Sequence, residues 1–338
     1  MRPLIAYQSR DALRANFARF PKGSWAVVKA DGYGMGAVDV ARSLAGAPGF
    51  AVASIGEALA LREAGITEAI LALEGAFDLE DCREAASYGI DLVVHEPRQL
   101  QWMASLDRRQ WSGVWLKLDT GMHRLGLTEQ AARACADTVV GLSVGRRVWM
   151  THYASADDTG LALPSMPSPP EGWQLSLGNS AAALLHPLPD NVCRAGIALY
   201  GASPTGDAMG LKVVQRLVSR VVALRRVAAG EAVGYSGRWI APRDSLIATI
   251  PGGYADGYLR SMPDGTPVDV GGVVCPLAGR VSMDRITVDV TDHPGAALDM
   301  PVELWGAQVP IETVAARSGT IPYELLCNVA PRVARIWS

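Results

Sequence analysis

Through its first two hundred residues the chain alternates short apolar, β-rich runs with stretches whose apolar positions recur at helical spacing. The runs fall at residues 24–29, 50–55, 69–73, 91–95, 114–118, 148–152, 174–177 and 192–197. Helical patterning fills most of the gaps, at 37–44, 55–64, 79–87, 96–105 and 129–138. Eight such alternations predict an α/β fold, a parallel (β/α)8 barrel of the TIM type. Residues 157–172, rich in Pro, Gly and Ser, read as an irregular loop. Beyond about residue 210 the texture changes. Strand-like segments at 213–227, 246–250, 268–273, 286–290 and 301–304 are separated by Gly, Pro and Asp turns. The expected division is a barrel over residues 1–208 and a β-rich carboxy-terminal domain over 209–338, with the boundary in the loop 203–210.

Composition narrows the function classes. A chain of 338 residues with 49% hydrophobic and 19% charged positions can bury a large core. The charge is balanced at −3, and the arginines are scattered, with pairs such as Arg108-Arg109 and Arg225-Arg226 reading as solvated surface. Nucleic acid is therefore not an expected partner, since phosphate backbones call for a clustered basic face. No apolar run is long enough to span a membrane, and the amino terminus lacks a signal-peptide pattern, so a cytoplasmic location is expected. Five cysteines (Cys82, Cys135, Cys193, Cys275, Cys327) are odd in number and widely spaced, which predicts buried reduced thiols and neither a disulfide framework nor a metal site. The 31 basic residues comprise 27 Arg and only 4 Lys, namely Lys22, Lys29, Lys117 and Lys212. Chemistry that needs a primary amine thus has few candidates.

In a (β/α)8 barrel functional groups gather where strands end. Here Lys29 ends the first run, Lys117 and Asp119 the fifth, and His152 the sixth. Asn179 and Ser180 follow the seventh, and Arg194, Gly196 and Ile197 close the eighth. Any one of these could be a structural polar group lining the barrel; a ring of them on one face is harder to assign that way. Lys29, delivered by the apolar run Trp25-Ala-Val-Val, is expected to be partly desolvated, which would lower its pKa and make it a nucleophile for a carbonyl. An aldehyde cofactor such as pyridoxal 5'-phosphate suits that amine. Asn179-Ser180 ahead of an Ala-rich helix, and Gly196-Ile197, offer donors for its phosphate.

Longer motifs carry a resemblance. They are Ala26-Val-Val-Lys-Ala-Asp-Gly-Tyr-Gly-Met-Gly, Leu73-Glu-Gly, Lys117-Leu-Asp-Thr-Gly-Met-His-Arg-Leu-Gly, Thr151-His-Tyr-Ala-Ser-Ala-Asp-Asp, Asn179-Ser-Ala-Ala and Arg194-Ala-Gly-Ile-Ala-Leu-Tyr-Gly. Val233-Gly-Tyr-Ser-Gly, Gly252-Gly-Tyr-Ala-Asp-Gly-Tyr-Leu-Arg, Gly279-Arg-Val-Ser-Met-Asp and Ile321-Pro-Tyr-Glu follow. In this order, from about residue 26 to 335, the set closely resembles alanine racemase, a pyridoxal-phosphate-dependent isomerase of fold type III.

The resemblance implies roles residue by residue. Lys29 would carry the cofactor as a Schiff base and act as the base on the D side of alanine, with Tyr235 the base on the L side, supplied by the partner subunit of a homodimer with composite active sites. Racemisation needs a proton acceptor on each face of a planar carbanion, and a phenol, with a pKa normally about 10, needs a neighbouring cation to serve. Arg194 would face the pyridine nitrogen, supported by His152, and a permanent cation there disfavours ring protonation. Arg124 would bind the cofactor's phenolic oxygen and the substrate carboxylate. Lys117 corresponds to a lysine that is often carbamylated; a salt bridge to Asp119 or another carboxylate is the plainer alternative. Met283 and Asp284 would line the substrate site from the partner, and Tyr254 would restrict it to small amino acids. Tyr33, Asn179, Ser180, Gly196, Ile197 and Tyr323 would hold the cofactor, mostly its phosphate.

Several positions depart from the family pattern. Asp31-Gly32 replaces Asn-Ala, Met35 a His, Ala195 a Pro, Arg285 an apolar residue, and Arg332-Val-Ala-Arg335 the more frequent Arg-Val-Pro-Arg. None is a proposed proton-transfer residue. A broader-specificity amino-acid racemase of the same fold is the alternative activity. A non-catalytic pyridoxal-phosphate carrier would keep Lys29 but lack Tyr235 and the β-rich second half, and a related decarboxylase would show Cys-Asp-Gly where Cys327 precedes Asn328. Either direction of use, D-alanine biosynthesis for a peptidoglycan precursor or its degradation, accords with the residues.

Overall fold

Eight short strands run parallel and order themselves as a ring in the computed structural model, which describes residues 2–106, 110–188, 191–207 and 209–338. Seven follow in chain order, Trp25–Val27, Gly49–Val52, Ala69–Ala72, Ile90–Val94, Trp111–Lys117, Val144–Met150 and Gln174–Ser176, each hydrogen-bonded to the next. The eighth, Arg194–Ala195, pairs with the first, Arg194 lying opposite Trp25. Closure is completed by the Val192 N–H donating to Leu175 O at 2.8 Å and the Arg194 N–H to Gly178 O at 2.7 Å. The expected eight-stranded barrel is thus present, and residues 157–172 are irregular as read.

Burial on both faces explains why these strands read as continuous apolar runs; Ile90–Val94 is buried at every position. Helix starts between them are written locally. Ser54, Asp78 and Thr128 accept from the backbone N–H three residues on and cap the helices Ile55–Glu63, Leu79–Tyr88 and Glu129–Gly141. Beneath the site, Trp25 and Trp115 meet edge to face at 4.9 Å. Asp91 accepts from Trp115 Nε1 and from Arg146, whose guanidinium lies over Trp25. Burial pushes the Asp91 carboxyl up while Arg146 opposes the shift.

Two compact units divide the chain. Arg14–Leu199 forms the barrel; Tyr200–Ser338 forms the second unit together with the residues up to Leu13. The amino terminus therefore departs from the expected 1–208 and 209–338 division. Its strand Ile5–Gln8 pairs antiparallel with Gln215–Arg220 and parallel with Ala334–Trp337. Those three belong to a six-stranded sheet ordered Val273–Pro276, Pro267–Val270, Pro301–Trp305, Gln215–Arg220, Ile5–Gln8, Ala334–Trp337. A three-stranded sheet of Ala223–Val227, Ser245–Pro251 and Arg285–Asp289 and a hairpin of Ala232–Val233 with Trp239–Ile240 complete the β-rich unit. The Arg108-Arg109 pair and Ala208, at the expected boundary, lie outside the described residues.

Cysteine burial follows the expectation at four positions and fails at one: Cys327, at the end of the helix Pro322–Cys327, is exposed. No helix among the described residues is long and apolar enough to cross a membrane.

Candidate active site

Lys29 emerges directly after the strand Trp25–Val27 and opens a turn of unusual hand. Ala30, Asp31, Gly32, Tyr33 and Gly34 have φ of 52°, 53°, 63°, 53° and 77°, five successive left-handed residues of which two are glycine. Each non-glycine residue in that region costs about 1–2 kcal/mol, so the surroundings must hold the turn. Glu57 does so from one side, accepting from the Ala30 N–H at 2.8 Å and the Ala53 N–H at 2.6 Å. Asp31 does so from the other, its carboxylate accepting from the Ala37 N–H at 2.9 Å and its carbonyl from the Gly36 N–H at 2.8 Å. The departure Asp31-Gly32 is therefore a working pair: Asp tolerates this region better than most residues and caps the next helix, and Gly32 carries no steric penalty.

The turn aims Tyr33 inward. Its ring is buried, and a Cβ added to Gly196 would lie 3.0 Å from Tyr33 Oη and 3.4 Å from Ser180 Oγ. Ser180 Oγ accepts from the Gly196 N–H at 2.9 Å and the Ala198 N–H at 3.3 Å, which leaves its own O–H to donate. Tyr33, Ser180, Gly196 and Ile197 thus form a small donor-rich cradle kept open by glycine. Asn179 shapes it from behind, Oδ1 accepting from the Ala182 N–H at 2.9 Å and Nδ2 donating to Tyr153 O at 3.1 Å. Both ends of its amide are committed to that framework.

Beside the cradle lies a cluster of cationic groups. Arg194 is buried and, among the described residues, meets no carboxylate; it donates to Ser176 O at 3.0 Å, to Thr151 O at 2.7 Å and to Ser176 Oγ. Burial lowers its pKa to about 10, which still leaves it cationic at neutral pH. Lys117, last residue of its strand and only 7% exposed, is lowered to about 8 by burial first and then by Arg124, Arg194 and Lys29, against Asp119. His152 is lowered to about 3 by burial and by Arg194, Lys117, Arg124 and Lys29, so its imidazole is neutral. The carboxylate of Asp119 is turned into its own loop, accepting from the Gly121 and His123 N–H groups, each at 3.0 Å. Among the described residues Lys117 has no ion-pair partner, so the alternative of a salt bridge to Asp119 or another carboxylate does not form. Lys29 and Arg124 are exposed. For Lys29 this corrects the expected partial desolvation: two residues beyond its strand, the side chain is open to solvent in the single chain.

The second unit holds the remaining candidates. Tyr235 starts a turn bracketed by Gly234 at φ 76° and Ser236 at φ 60° and is 66% exposed. It lines an open depression together with Met283, Asp284, Arg2 and Arg285. Tyr254 stands next to this segment, its N–H donating to Ser282 O at 3.1 Å. Tyr323 is half-buried on the helix Pro322–Cys327.

Reading the sequence missed the groups that act on these residues. Ser176, which grips Arg194, lies within a strand run and Glu57 within a helical stretch, and neither carries a local signal of its role. Asp256, fully buried between arginines, lay inside a quoted motif; its flanking glycines were the available signal.

Comparison with known proteins agrees with this arrangement across both units. The family model for the alanine racemase N-terminal domain matches residues 9–204 and that for the C-terminal domain residues 214–337. An alanine racemase of Azoarcus sp. (strain BH72) is 45% identical over 99% of each chain. The crystal structure of biosynthetic alanine racemase from Pseudomonas aeruginosa superposes with a TM-score of 0.92 at 40% identity, covering 100% of both chains. That of alanine racemase from Bartonella henselae, with covalently bound pyridoxal phosphate, gives 0.88 at 29% identity, again over 100% of both. With two domain models, full-length sequence identity and a shared fold all in register, the chain belongs to the alanine racemase family.

Proposed function

We infer that the chain interconverts L-alanine and D-alanine, with pyridoxal 5'-phosphate held by its barrel unit. Family membership supplies the reaction and the substrate. One observation on this chain carries the site: an exposed amine, Lys29, opens the turn that forms a donor-rich cradle, within a cluster of cations. The fit is chemical. An aldehyde matches an accessible primary amine, a phosphate matches the space that Gly196 keeps open beside Tyr33, Ser180 and Ile197, and excess positive charge matches an anionic ligand. The shaping role of Asn179 and the phenol of Tyr323 are assigned to the same cofactor. A covalently bound pyridoxal phosphate in the Bartonella henselae relative supports the assignment.

When bound, pyridoxal phosphate supplies the electron sink for the charge left at the substrate Cα. Lys29 Nζ takes or returns the Cα proton on the D side, and Tyr235 Oη does so on the L side. Arg124 would bind the substrate carboxylate and the cofactor's phenolic oxygen. Arg194, assigned to the pyridine nitrogen with neutral His152 in support, would oppose protonation there because two adjacent cations repel. That would limit charge delocalisation and the side reactions it permits. Tyr235, Met283, Asp284 and Tyr254 are assigned to the partner's site in a homodimer; their exposure in a single chain supports this reading. The odd number and wide spacing of the five cysteines support a reducing, cytoplasmic compartment.

Lys117 is assigned a carbamate. The amine's lone pair attacks carbon dioxide, a C–N bond forms as one C=O π pair moves onto oxygen, and the nitrogen loses a proton to solvent, so the neutral amine is required. With its pKa lowered to about 8 by burial and the neighbouring cations, Lys117 has a large neutral fraction near pH 8. An ordinary lysine near 10.4 offers only about 0.4%. The product would place a negative charge among Arg124, Arg194 and Lys29. With ¹³C-bicarbonate a carbamate carbon resonance is expected at pH 8 that vanishes in Lys117→Arg; its persistence there would assign it elsewhere.

The function is tested by assaying a panel of L-amino acids for the D enantiomer, with and without added cofactor. Turnover dominated by alanine and dependent on the cofactor is expected. Comparable rates on larger side chains would favour the broader racemase. No turnover of any member would return the carrier reading, which the full-length match of both units already disfavours.

A further inference from the structure

In the second unit a buried carboxylate ties together the two loops that carry Tyr254 and Met283. Asp256 is 0% exposed. Arg2 donates to both of its oxygens, one at 2.7 Å, Arg332 Nε donates to Oδ1 at 2.7 Å, and the Gly253 N–H donates to Oδ2 at 2.8 Å. The same arginines reach on to Asp284: Arg332 Nη2 meets its Oδ1 at 2.7 Å and Arg2 Nη2 its carbonyl at 2.7 Å. Two guanidinium groups and two carboxylates therefore close a neutral, four-membered network. Burial pushes the Asp256 carboxyl up, and the hydrogen bonds from Arg2, Arg332 and Gly253 outweigh it and hold the group below the usual range.

The backbones are sutured alongside. The Gly252 N–H donates to Asp284 O at 3.0 Å, the Tyr254 N–H to Ser282 O at 3.1 Å, and the Ala255 N–H to Met283 O at 3.0 Å. The approach is so close that a Cβ on Gly253 would lie 2.3 Å from Ser282 O and 2.4 Å from Met283 O. Tyr254, Met283 and Asp284 thus ride on one ledge, and its tightness depends on the ion network at its back.

We propose that Arg332 is a positioning residue which, through Asp256 and Asp284, fixes the Tyr254 and Met283 ledge and so sets which amino-acid side chains the site admits. The proposal rests on the reading that Tyr254 and Met283 border the substrate. Arg332 is singled out over Arg2 because it alone grips the Asp284 side chain. Its side chain is 42% exposed, and Arg2 still pairs Asp256 when it is truncated, so the fold has a remaining counter-ion.

The test uses the holoenzyme with Arg332→Ala and Arg332→Lys. In Arg332→Ala the KM for alanine is expected to rise about tenfold with kcat changed less than about twofold, and the alanine-over-serine preference in kcat/KM should fall. Backbone amide exchange in residues 253–256 and 282–285 should quicken, independently of turnover. Arg332→Lys, with one point charge in place of a planar fork, should lie between the two. If Arg332→Ala does not fold, Arg332→Lys decides alone: unchanged selectivity and exchange overturn the proposal. A lowered unfolding midpoint with KM, preference and exchange intact makes the network a strut and also overturns it. Met283→Ala and Tyr254→Ala separate the premise from the proposal. If neither alters KM or preference, the assignment of the ledge to the substrate fails; if they do and Arg332→Ala does not, the positioning role fails alone.

Discussion

Lys29→Ala is expected to lose the near-visible absorbance of the lysine-bound cofactor and to cut alanine racemisation by at least about 10³-fold, since it removes a nucleophile and a base together. The other lysines offer no substitute. Lys117 is buried, Lys22 precedes the first barrel strand at its far end, and Lys212 belongs to the second unit. Lys29→Arg should be as inactive, because a guanidinium keeps the charge but cannot condense with an aldehyde. The folded state should hardly register the change. Lys29 is exposed among cations and, among the described residues, has no carboxylate partner, so its removal should shift stability by no more than about 0.5 kcal/mol. Added methylamine should restore part of the rate to Lys29→Ala and none to Lys29→Arg, whose side chain fills the space. Spectra, chiral chromatography and thermal unfolding read these outcomes. Retained absorbance and turnover in Lys29→Ala would move the chemistry to another amine.

The position of Lys29 was legible because strand periodicity is a local signal and a barrel turns strand ends into a common face. The same logic found Lys117, His152, Ser180 and Arg194. It failed where geometry is set by partners distant in sequence. A left-handed turn at Ala30–Tyr33 cannot be read from Ala30 and Tyr33, which disfavour it; it exists because Glu57 and the Gly36 and Ala37 amides hold it. The predicted desolvation of Lys29 followed from the apolar residues before it, whereas the burial fell on Lys117, still inside its strand. Ile5–Gln8 and Ala334–Trp337 are four-residue strands whose partners lie some two hundred and three hundred residues away, so neither stood out. Asp256 and Arg332 are 76 positions apart, and only the fold makes them neighbours.

Tyr235→Phe should keep the cofactor and its absorbance while alanine racemisation falls by about 10²–10⁴-fold, the usual contribution of a positioned acid or base, or about 2.7–5.4 kcal/mol. The substitution removes one oxygen from a side chain that is 66% exposed, so packing and stability should not change. The loss should be asymmetric at the level of proton exchange. In deuterated water the D enantiomer, whose Cα proton is assigned to Lys29, should still exchange in Tyr235→Phe, while the L enantiomer should not. Mixing two inactive variants then tests where the phenol comes from. If each site takes Lys29 from one subunit and Tyr235 from its partner, a Lys29→Ala with Tyr235→Phe heterodimer carries one doubly damaged site and one intact site. Random re-pairing of equal amounts makes about half the dimers mixed, so about a quarter of all sites, and of wild-type activity, should return. If both groups came from one subunit, re-pairing would restore nothing, because every site would keep its own defect. Full activity in Tyr235→Phe would end the two-base scheme outright. Loss of activity without recovery on mixing would keep the base and discard the composite site.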